Sequence, residues 1–282
     1  MCRSAKIKLG SRWKQNQGIP MAKLVDLTRP LVTIDKKNFP PALAPLFRII
    51  SPEVDFVGND RGADIMCEIF SCPKTDLPNG EGWAEEMITL SSHLGTHVDA
   101  PLHYGSTCGG APAKTVDQIP LEELYCDAVV LDLTHKKGTG DAITVDDLKR
   151  ALEKVQYQIK AGDAVLIRTD HDKYALDDPT RYNYPGMVRE SALYLAKCGA
   201  KIGGTDALGW DRPFAKMVEQ YQVSKDKAHI WDAHFAYRDI EVYVIQQLVN
   251  LDQLPPHGFK VAFFPILLVG ASAAPARVVA FV

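Results

Sequence analysis

Three imidazoles and one carboxylate lie within the eleven residues from His93 to His103. His93, His97 and Asp99 offer the nitrogen and oxygen ligands that Zn²⁺ or Mn²⁺ accepts in proteins. Three protein ligands leave at least one coordination position open for water or substrate, which is typical of a catalytic metal site. The alternative is that these are unrelated core or surface side chains, but the density of ligand types favours a metal. His103 is then a further ligand, a residue that orients a ligand, or a proton carrier.

The backbone around these side chains is predicted to be a tight loop that leaves a strand. Two histidines four residues apart often lie one turn apart on a helix. Here Gly95 is unfavourable inside a helix, and Pro101 would break a helix directly after the ligands. In a loop, Gly95 would let the chain turn so that His93 and His97 face the same ion.

The composition excludes several classes of protein. The chain has 282 residues, of which 46% are hydrophobic and 24% charged, and a formal net charge of -3; these values are typical of a globular domain. There is no basic stripe and no apolar run long enough to cross a bilayer, so we expect neither a nucleic-acid partner nor a membrane span. The six cysteines form no Cys-x2-Cys pair, which predicts free thiols and a cytoplasmic location.

Folded chain is expected from residue 21 onward. Residues 1–20 are basic and polar without an apolar core, so they do not resemble a secretory signal. They are predicted to be a disordered arm or an artefact of the translation start. No linker or internal repeat interrupts residues 21–282, which are predicted to form a single domain.

Strands and helices are predicted to alternate, which indicates an α/β fold. Short apolar runs predict buried strands over residues 127–133, 164–169 and 201–206. Helical patterns cover residues 144–154, with Thr144 as N-cap, and residues 189–198, stopped by a glycine. Further strands are predicted over residues 23–32, 65–70 and 83–90. The proline-rich residues 35–60 predict an irregular loop or flap over a site.

The metal-binding segment also carries a family resemblance. Residues 92–103 resemble the His-x-Gly-Thr-His-x-Asp-Ala-Pro-x-His signature of the metal-dependent cyclase-family hydrolases, a family that includes kynurenine formamidase, isatin hydrolase and trans-dienelactone hydrolase. Weaker likeness covers residues 162–169, 248–255 and 275–277. The resemblance implies a swivelling β/β/α architecture with a central barrel-like β-sheet, where alternating elements alone would suggest a doubly wound sheet. It also implies a homodimer or higher homo-oligomer, in which residues 35–60 could reach a neighbour's site.

The resemblance implies that His93, His97 and Asp99 bind the metal. It also implies that a His and a Glu twelve residues apart complete the site.

Two pairs have this spacing, His229 with Glu241 and His234 with Gln246. The second pair precedes the Leu-x-Asn-Leu segment as the family pair does, so it is the preferred assignment. Its glutamine departs from the kynurenine formamidase pattern. A neutral amide cannot balance the charge of a second dication. The departure therefore favours one Mn²⁺ or Zn²⁺ per chain, as in the isatin hydrolase branch.

These residues lead to a hypothesis of hydrolysis of a small cyclic amide, such as an isatin-like lactam, by metal-activated water. A lactone of the dienelactone type and N-formylkynurenine are the alternative substrates. His234 is the candidate general base and acid, His103 is the second candidate, and Asp99 could orient the water while it binds the metal.

Other side chains are weaker candidates for substrate contact. Trp83 could form a flat wall for a planar substrate, although core packing is equally compatible with its position. Phe56 is a second wall candidate, and His171 could line the pocket. Arg212 could meet an acidic product, but a solvated surface position is the preferred interpretation.

Two other classes of function compete with hydrolysis. One is a non-catalytic protein with a closed structural metal site, which the spare His103 and His234 disfavour. The other is a nucleotide-binding α/β domain, for which no Gly-x-Gly-x-x-Gly motif follows a strand.

Overall fold

A computed structural model of the protein describes residues 22–39, 41–138 and 141–282. The N-terminal segment of residues 1–20, for which disorder is predicted, lies outside the described residues. The strands are β1 Leu24–Asp26, β2 Glu53–Val57, β3 Glu85–Thr89, β4 His97–Asp99, β5 Thr107–Cys108, β6 Ala111–Pro112, β7 Tyr125–Asp132, β8 Ala142–Ile143, β9 Ala164–Arg168, β10 Gly186–Met187, β11 Ile202–Thr205, β12 Tyr243–Gln246, β13 Phe259–Pro265 and β14 Ala273–Phe281. The α-helices are α1 Asn59–Phe70, α2 Val145–Lys154, α3 Arg189–Cys198, α4 Phe214–Ser224 and α5 Asp232–Ala236.

The central feature is a closed barrel of seven strands in the order β4-β14-β13-β7-β9-β11-β12. Strand β4 pairs with β12 on one side and β14 on the other, which closes the sheet. Strands β7, β9, β11 and β12 run parallel, and the remaining pairs in the barrel are antiparallel. The barrel-like sheet predicted from the family resemblance is confirmed.

The barrel encloses an apolar core because strand residues alternate between its two faces. Val98 of β4, Ile245 of β12 and Ala274 of β14 belong to one buried cluster to which every barrel strand contributes. The strand neighbours of these residues therefore face outward. In β4 those neighbours are His97 and Asp99.

A layer of helices covers part of the outer face of the barrel. Val129 and Leu131 of β7 pack in a second buried cluster with residues of α2, α3 and α5. The predicted helices at 144–154 and 189–198 are confirmed, and Gly199 ends α3 in a left-handed conformation. No helix of the described residues is long and apolar enough to cross a bilayer. The five cysteines among them form no disulfide with one another.

Helix α2 begins with a capping box that the sequence predicts. The Thr144 hydroxyl accepts a hydrogen bond from the backbone N–H of Asp147, and the Asp147 carboxylate accepts one from the backbone N–H of Thr144 at 2.8 Å. Lys136 Nζ lies 2.8 Å from the same carboxylate. Burial opposes ionisation of Asp147, but Lys136 and Thr144 outweigh it and lower the pKa of Asp147 to about 2.

The variant Asp147→Asn is expected to unfold more easily near neutral pH. Because the folded-state pKa lies below the ordinary value, the ionised carboxylate contributes stability that is complete above the unfolded-state pKa and is lost as the pH falls through the folded-state pKa. The shift corresponds to about 2 kcal/mol near neutral pH. Urea unfolding near neutral pH and at about pH 2.5 measures this, and the deficit should shrink at the acidic pH. An equal deficit at both values would contradict the charge argument.

One predicted element is wrong, and another is more regular than predicted. Residues 65–70, predicted as a strand, are the second half of helix α1. An ideal Cβ on Gly62 would lie 1.8 Å from the Trp83 carbonyl oxygen, so the helix packs against the backbone of residue 83 through a glycine. The apolar run is short enough to suit either structure, and this tertiary contact is not visible in local sequence.

Residues 35–60 are also more regular than predicted. They contain a 3-10 helix at Pro41–Ile49 and strand β2, which pairs antiparallel with β3. The partner strand lies about thirty residues further along the chain, so a local pattern does not reveal the pairing. Strands β2 and β3 form a two-stranded sheet separate from the barrel, and we call the segment of β2, α1 and β3 the arm (residues 53–89).

Candidate metal centre and active site

The metal-binding candidates are brought together by the register of the barrel. Strand β4 carries His97 and Asp99 two residues apart, so both side chains point to the same face. Gln246 of β12 lies directly opposite His97 in the antiparallel pair. Residues almost 150 positions apart in sequence thus become neighbours. All three are buried.

The segment before β4 is a tight turn, as predicted. It joins β3 to β4, and Gly95 has a φ of 60°, a left-handed value that favours glycine. His97 Nδ1 lies 2.7 Å from the carbonyl oxygen of Gly95 and donates to it. The proton is therefore on Nδ1, and Nε2 carries a lone pair. That nitrogen is buried and has no hydrogen-bond partner among the described residues.

The Asp99 carboxylate is the centre of the cluster. Its Oδ1 lies 2.8 Å from His93 Nδ1 and 3.3 Å from His97 Nε2, and no hydrogen bond to it is found in the described part of the chain. Burial opposes ionisation, but the imidazole side chains that surround it hold the pKa of Asp99 well below its usual range. A buried anionic oxygen and a buried imidazole lone pair, both unsatisfied and 3.3 Å apart, fit a shared divalent cation.

His93 and His103 complete the immediate surroundings of this carboxylate. Ligand atoms of His93, Asp99 and His103 all lie within 4.8 Å of one another. His93 Nε2 approaches the Ser272 hydroxyl at 3.4 Å, which orients Nδ1 toward Asp99. Burial lowers the pKa of His103 to about 3, with a further contribution from His234. His103 is therefore neutral near neutral pH.

His234 approaches the same carboxylate from helix α5. Its Nε2 lies 3.8 Å from Asp99 Oδ2 and 3.4 Å from Gln246 Nε2. Gln246 Nε2 also donates to Asp99 Oδ2. His234 and Gln246 are thus the histidine and the amide that join the predicted cluster.

The other side of His234 is held by Asp211. His234 Nδ1 donates to Asp211 Oδ2, and the same carboxylate accepts the backbone N–H groups of Ala233 at 2.8 Å and His234 at 3.1 Å. Both side chains are buried. Burial opposes protonation of His234, but Asp211 and Asp99 outweigh it and raise the pKa of His234 to about 9. Asp211 fixes the ring and its tautomer, leaving Nε2 toward the cluster.

These groups open onto a cavity of about 340 Å³. Trp231 stacks on the His234 ring at 4.4 Å between centroids and 19° between planes, and it forms an aromatic wall. Apolar residues make up much of the remaining lining: Pro45, Leu46, Ile49, Leu208, Trp210, Phe214 and Met217. The cavity can therefore hold a small, largely apolar ring beside the cluster.

Three predicted substrate contacts do not line this cavity. Trp83 and Phe56 lie on the arm and are 39% and 63% exposed. His171 is buried elsewhere, with Nδ1 3.1 Å from the Thr169 hydroxyl and Nε2 3.3 Å from the carbonyl oxygen of Asn183. The prediction of a solvated Arg212 is also wrong, because the residue is 7% exposed and lines the cavity.

The alternative family pair lies apart from the cluster. Glu241 forms ion pairs with Lys114 at 3.0 Å and Lys201 at 2.6 Å, and His229 is in the 3-10 turn Lys227–His229. Neither lines the cavity. The geometry favours His234 and Gln246.

Sequence reasoning missed Asp211 and Trp231. Asp211 is more than twenty residues before His234, and only the tertiary contact joins them. Trp231 had a local signal, since it precedes His234 by three residues and so shares a face with it on a helical turn.

Comparison with known proteins identifies the family. The Cyclase family model matches residues 25–212, about two thirds of the chain. The chain belongs to the Cyclase family. The match includes the whole segment from His93 to His103, together with Asp211 and Arg212.

Two similar proteins are hydrolases. An isatin hydrolase of Roseibium aggregatum is 27% identical over 212 residues, which cover 72% of this chain and 77% of that protein. A kynurenine formamidase of Maricaulis maris is 30% identical over 192 residues, covering 68% and 78%. This protein is thus a cyclase-family hydrolase similar to both.

The fold agrees with this assignment. The crystal structure of an isatin hydrolase bound to the product analogue thioisatinate superposes with a TM-score of 0.69 and 22% identity, over 93% of this chain and 92% of that chain. The cyclase-like fold predicted from the sequence is confirmed.

Proposed function

We propose that this protein is a divalent-metal-dependent hydrolase that opens a small cyclic amide of the isatin type. One observation carries the proposal: the unsatisfied Nε2 of His97, a residue that lines the apolar cavity, lies 3.3 Å from the unsatisfied Asp99 Oδ1, and the neighbouring His234 is oriented by a buried carboxylate. An oriented histidine, an acidic ligand and an apolar cavity are the parts that metal-assisted hydrolysis needs.

The candidate ligands are His93, His97, Asp99 and Gln246, and they suit one Mn²⁺ or Zn²⁺ ion. Rotation of the Gln246 amide about its terminal bond would present Oε1 in place of Nε2. When bound, the metal supplies Lewis acidity that polarises a carbonyl group and lowers the pKa of water. Asp99 would bind the metal through one carboxylate oxygen and would also orient the attacking water through the other.

His234 is the proposed general base and acid. With Nδ1–H held by Asp211, its Nε2 accepts a proton from water and returns it to the leaving nitrogen. The charge of a dication bound next to it opposes the rise in its pKa caused by Asp211 and Asp99. His103, neutral and 5.5 Å from the His234 ring, is the alternative proton carrier.

The variant Gln246→Glu is expected to change the metal content. A carboxylate in place of the amide adds one negative charge beside Asp99, which compensates a second dication. Metal per chain, measured by mass spectrometry after dialysis, should rise above one, or the preference between Mn²⁺ and Zn²⁺ should change. Unchanged content and unchanged activity would argue that Gln246 is not a ligand. Gln222→Glu, an exposed change in α4, is the matched control.

The substrate is tested by hydrolysis assays of the purified protein with Mn²⁺ and with Zn²⁺. Isatin, trans-dienelactone and N-formylkynurenine are the three substrates, and isatin is expected to be turned over fastest. Lactones and formamides present the same kind of carbonyl, so faster turnover of either would replace the lactam assignment. Metal binding without any turnover would favour the structural metal-binding alternative, which the open cavity disfavours.

We also propose that the protein is a homodimer and that its arm covers the second copy. The arm exposes large apolar side chains, among them Phe56 at 63%, Met87 at 68% and Ile88 at 56%. A two-stranded sheet has little stability of its own, and an exposed apolar patch of this kind marks an interface. Phe56 and Trp83 would then contact the substrate in the cavity of the partner subunit.

The double variant Met87→Asp/Ile88→Asp is expected to be monomeric. Two buried, unpaired charges in an apolar interface oppose association. Analytical ultracentrifugation should give twice the chain mass of 31.1 kDa for the unmodified protein and the chain mass for the variant. Glu86→Gln on the same strand is the control. A monomeric unmodified protein would overturn the dimer, and a fully active monomeric variant would exclude a role for the arm in the partner's cavity.

A further inference from the structure

The guanidinium of Arg212 lies in the wall of the cavity with most of its hydrogen-bonding capacity unused. The residue is 7% exposed. Its Nη1 donates to Gln220 Oε1 of α4 at 2.6 Å, which is its one side-chain hydrogen bond within the described residues. Its Nε is buried without a partner there. A guanidinium has five N–H donors, so a buried one that uses so few is suited to a further acceptor.

The nearest carboxylate compensates this charge only in part. Asp232 Oδ1 is 3.8 Å from Arg212 Nη2, beyond hydrogen-bond distance, and it too has no hydrogen-bond partner in the described chain. Asp232 Oδ2 is engaged with the backbone N–H of Arg189 at 2.8 Å. A well-formed arginine–carboxylate pair would be bidentate and shorter. Arg212 is therefore held in place by its neighbours without being neutralised by a close contact.

Among the residues that the structure describes, the rest of the cavity wall carries no free negative charge to compete. The one carboxylate among the described residues that line it, Asp211, is fully engaged by His234 and the start of α5. Arg48 is a second guanidinium on the wall. Apolar groups such as Phe214 and Trp231 surround these charges, and a low-polarity wall strengthens the attraction of an anion.

We propose that Arg212 binds a carboxylate carried by the substrate, at a position separate from the bond that is cleaved. The substrate class is then a small ring with an anionic substituent, and Arg212 is a residue that determines specificity. The inference rests on the proposed hydrolase function in one respect, that the ring is opened at the metal centre. The guanidinium fork matches a carboxylate geometrically, which a lysine or a neutral donor would not.

The test compares neutral isatin with isatin-5-carboxylate and isatin-7-carboxylate, using the metal-loaded protein and its Arg212→Met variant. For the unmodified protein, kcat/KM should be higher for at least one carboxylated ring. In the variant it should fall about 10- to 100-fold for that ring, mainly through KM, with isatin changed less than about threefold. Arg150→Met, which removes an exposed arginine from α2, is the control for net charge. Arg212→Lys keeps the positive charge but loses the two parallel N–H donors, so its kcat/KM for the carboxylated ring should be intermediate. This variant replaces Arg212→Met in the test if the methionine variant does not fold.

Equal losses for neutral and carboxylated rings, or no preference for any carboxylated ring, would overturn the role of Arg212 while leaving the hydrolase intact. If the unmodified protein turns over none of these rings, the proposed substrate fails instead. Calorimetry with 1-naphthoate and 1-naphthamide then decides the role of Arg212. The role of Arg212 is supported if Arg212→Met weakens the binding of 1-naphthoate at least about tenfold and leaves the binding of 1-naphthamide unchanged. Identical binding by variant and unmodified protein overturns it.

Discussion

Replacing His97 by alanine should remove the metal and lower turnover by about 10³-fold or more while the protein stays folded. His97 Nε2 is a buried lone pair whose tautomer Gly95 fixes, and the adjacent Asp99 oxygen is unsatisfied without a cation. The ring lies on the outer face of β4, away from the apolar interior of the barrel. Its loss therefore leaves the packing of the core in place.

The experiment measures three quantities on the same preparations: metal per chain, hydrolysis rate and thermal unfolding. His229→Ala is the matched control, because it makes the same chemical change at a histidine that does not line the cavity. It also tests the alternative family pair, which predicts that His229→Ala loses activity as well. A His97→Ala variant that is active without metal would contradict the proposal of a catalytic metal centre.

Replacing Asp211 by asparagine should lower kcat by roughly 10²- to 10⁴-fold with little change in KM or metal content, by analogy with the carboxylate of a serine-protease triad. Asp211 accepts the Nδ1 proton of His234, so Nε2 is free to take a proton from water. An asparagine amide can donate to Nδ1 and so favour the opposite tautomer, in which Nε2 already carries the proton. The loss should therefore appear in the chemical step.

Steady-state kinetics together with metal analysis separate this effect from damage to the site. Asp239→Asn is the control, since that carboxylate is exposed and paired with Arg189 at the surface. A kcat within about threefold of the unmodified value would show that the tautomer of His234 does not limit the reaction. Loss of metal along with kcat would indicate a structural role for Asp211 instead.

The local part of the site could be predicted because its residues are neighbours in sequence. His93, His97, Asp99 and His103 fall in one segment, where a turn at Gly95 and a two-residue strand period are enough to bring them together. Gln246 could be assigned to the cluster only through the family resemblance. The register of β12 against β4 explains the assignment, because it places Gln246 opposite His97.

The distant part of the site could not be predicted in the same way. Arg212 looks like a surface residue in Asp-Arg-Pro, and only the packing of α4 and α5 buries it. Trp83 is the opposite case, because an aromatic residue ten positions before a ligand suggests a wall, whereas the residue lies on the arm, between α1 and β3. Both outcomes depend on tertiary contacts that local periodicity does not contain.

Helices α2 and α3 could be predicted because their capping residues and the spacing of their apolar residues indicate the same bounds. Thr144 with Asp147 and the glycine after Cys198 are signals that local sequence contains in full. Residues 65–70 contain an apolar run without such signals. There the contact between Gly62 and the backbone of residue 83 selects the helix.

Titration of the metal-free protein with Mn²⁺ and with Zn²⁺, followed by isatin hydrolysis at each addition, tests the central claim most directly. The account predicts no turnover without metal and a linear rise that ends at one equivalent per chain, because Asp99 and a neutral Gln246 compensate a single dication. Full turnover by the metal-free protein would contradict a metal-dependent mechanism. A rise that continues to two equivalents would contradict the single-metal site.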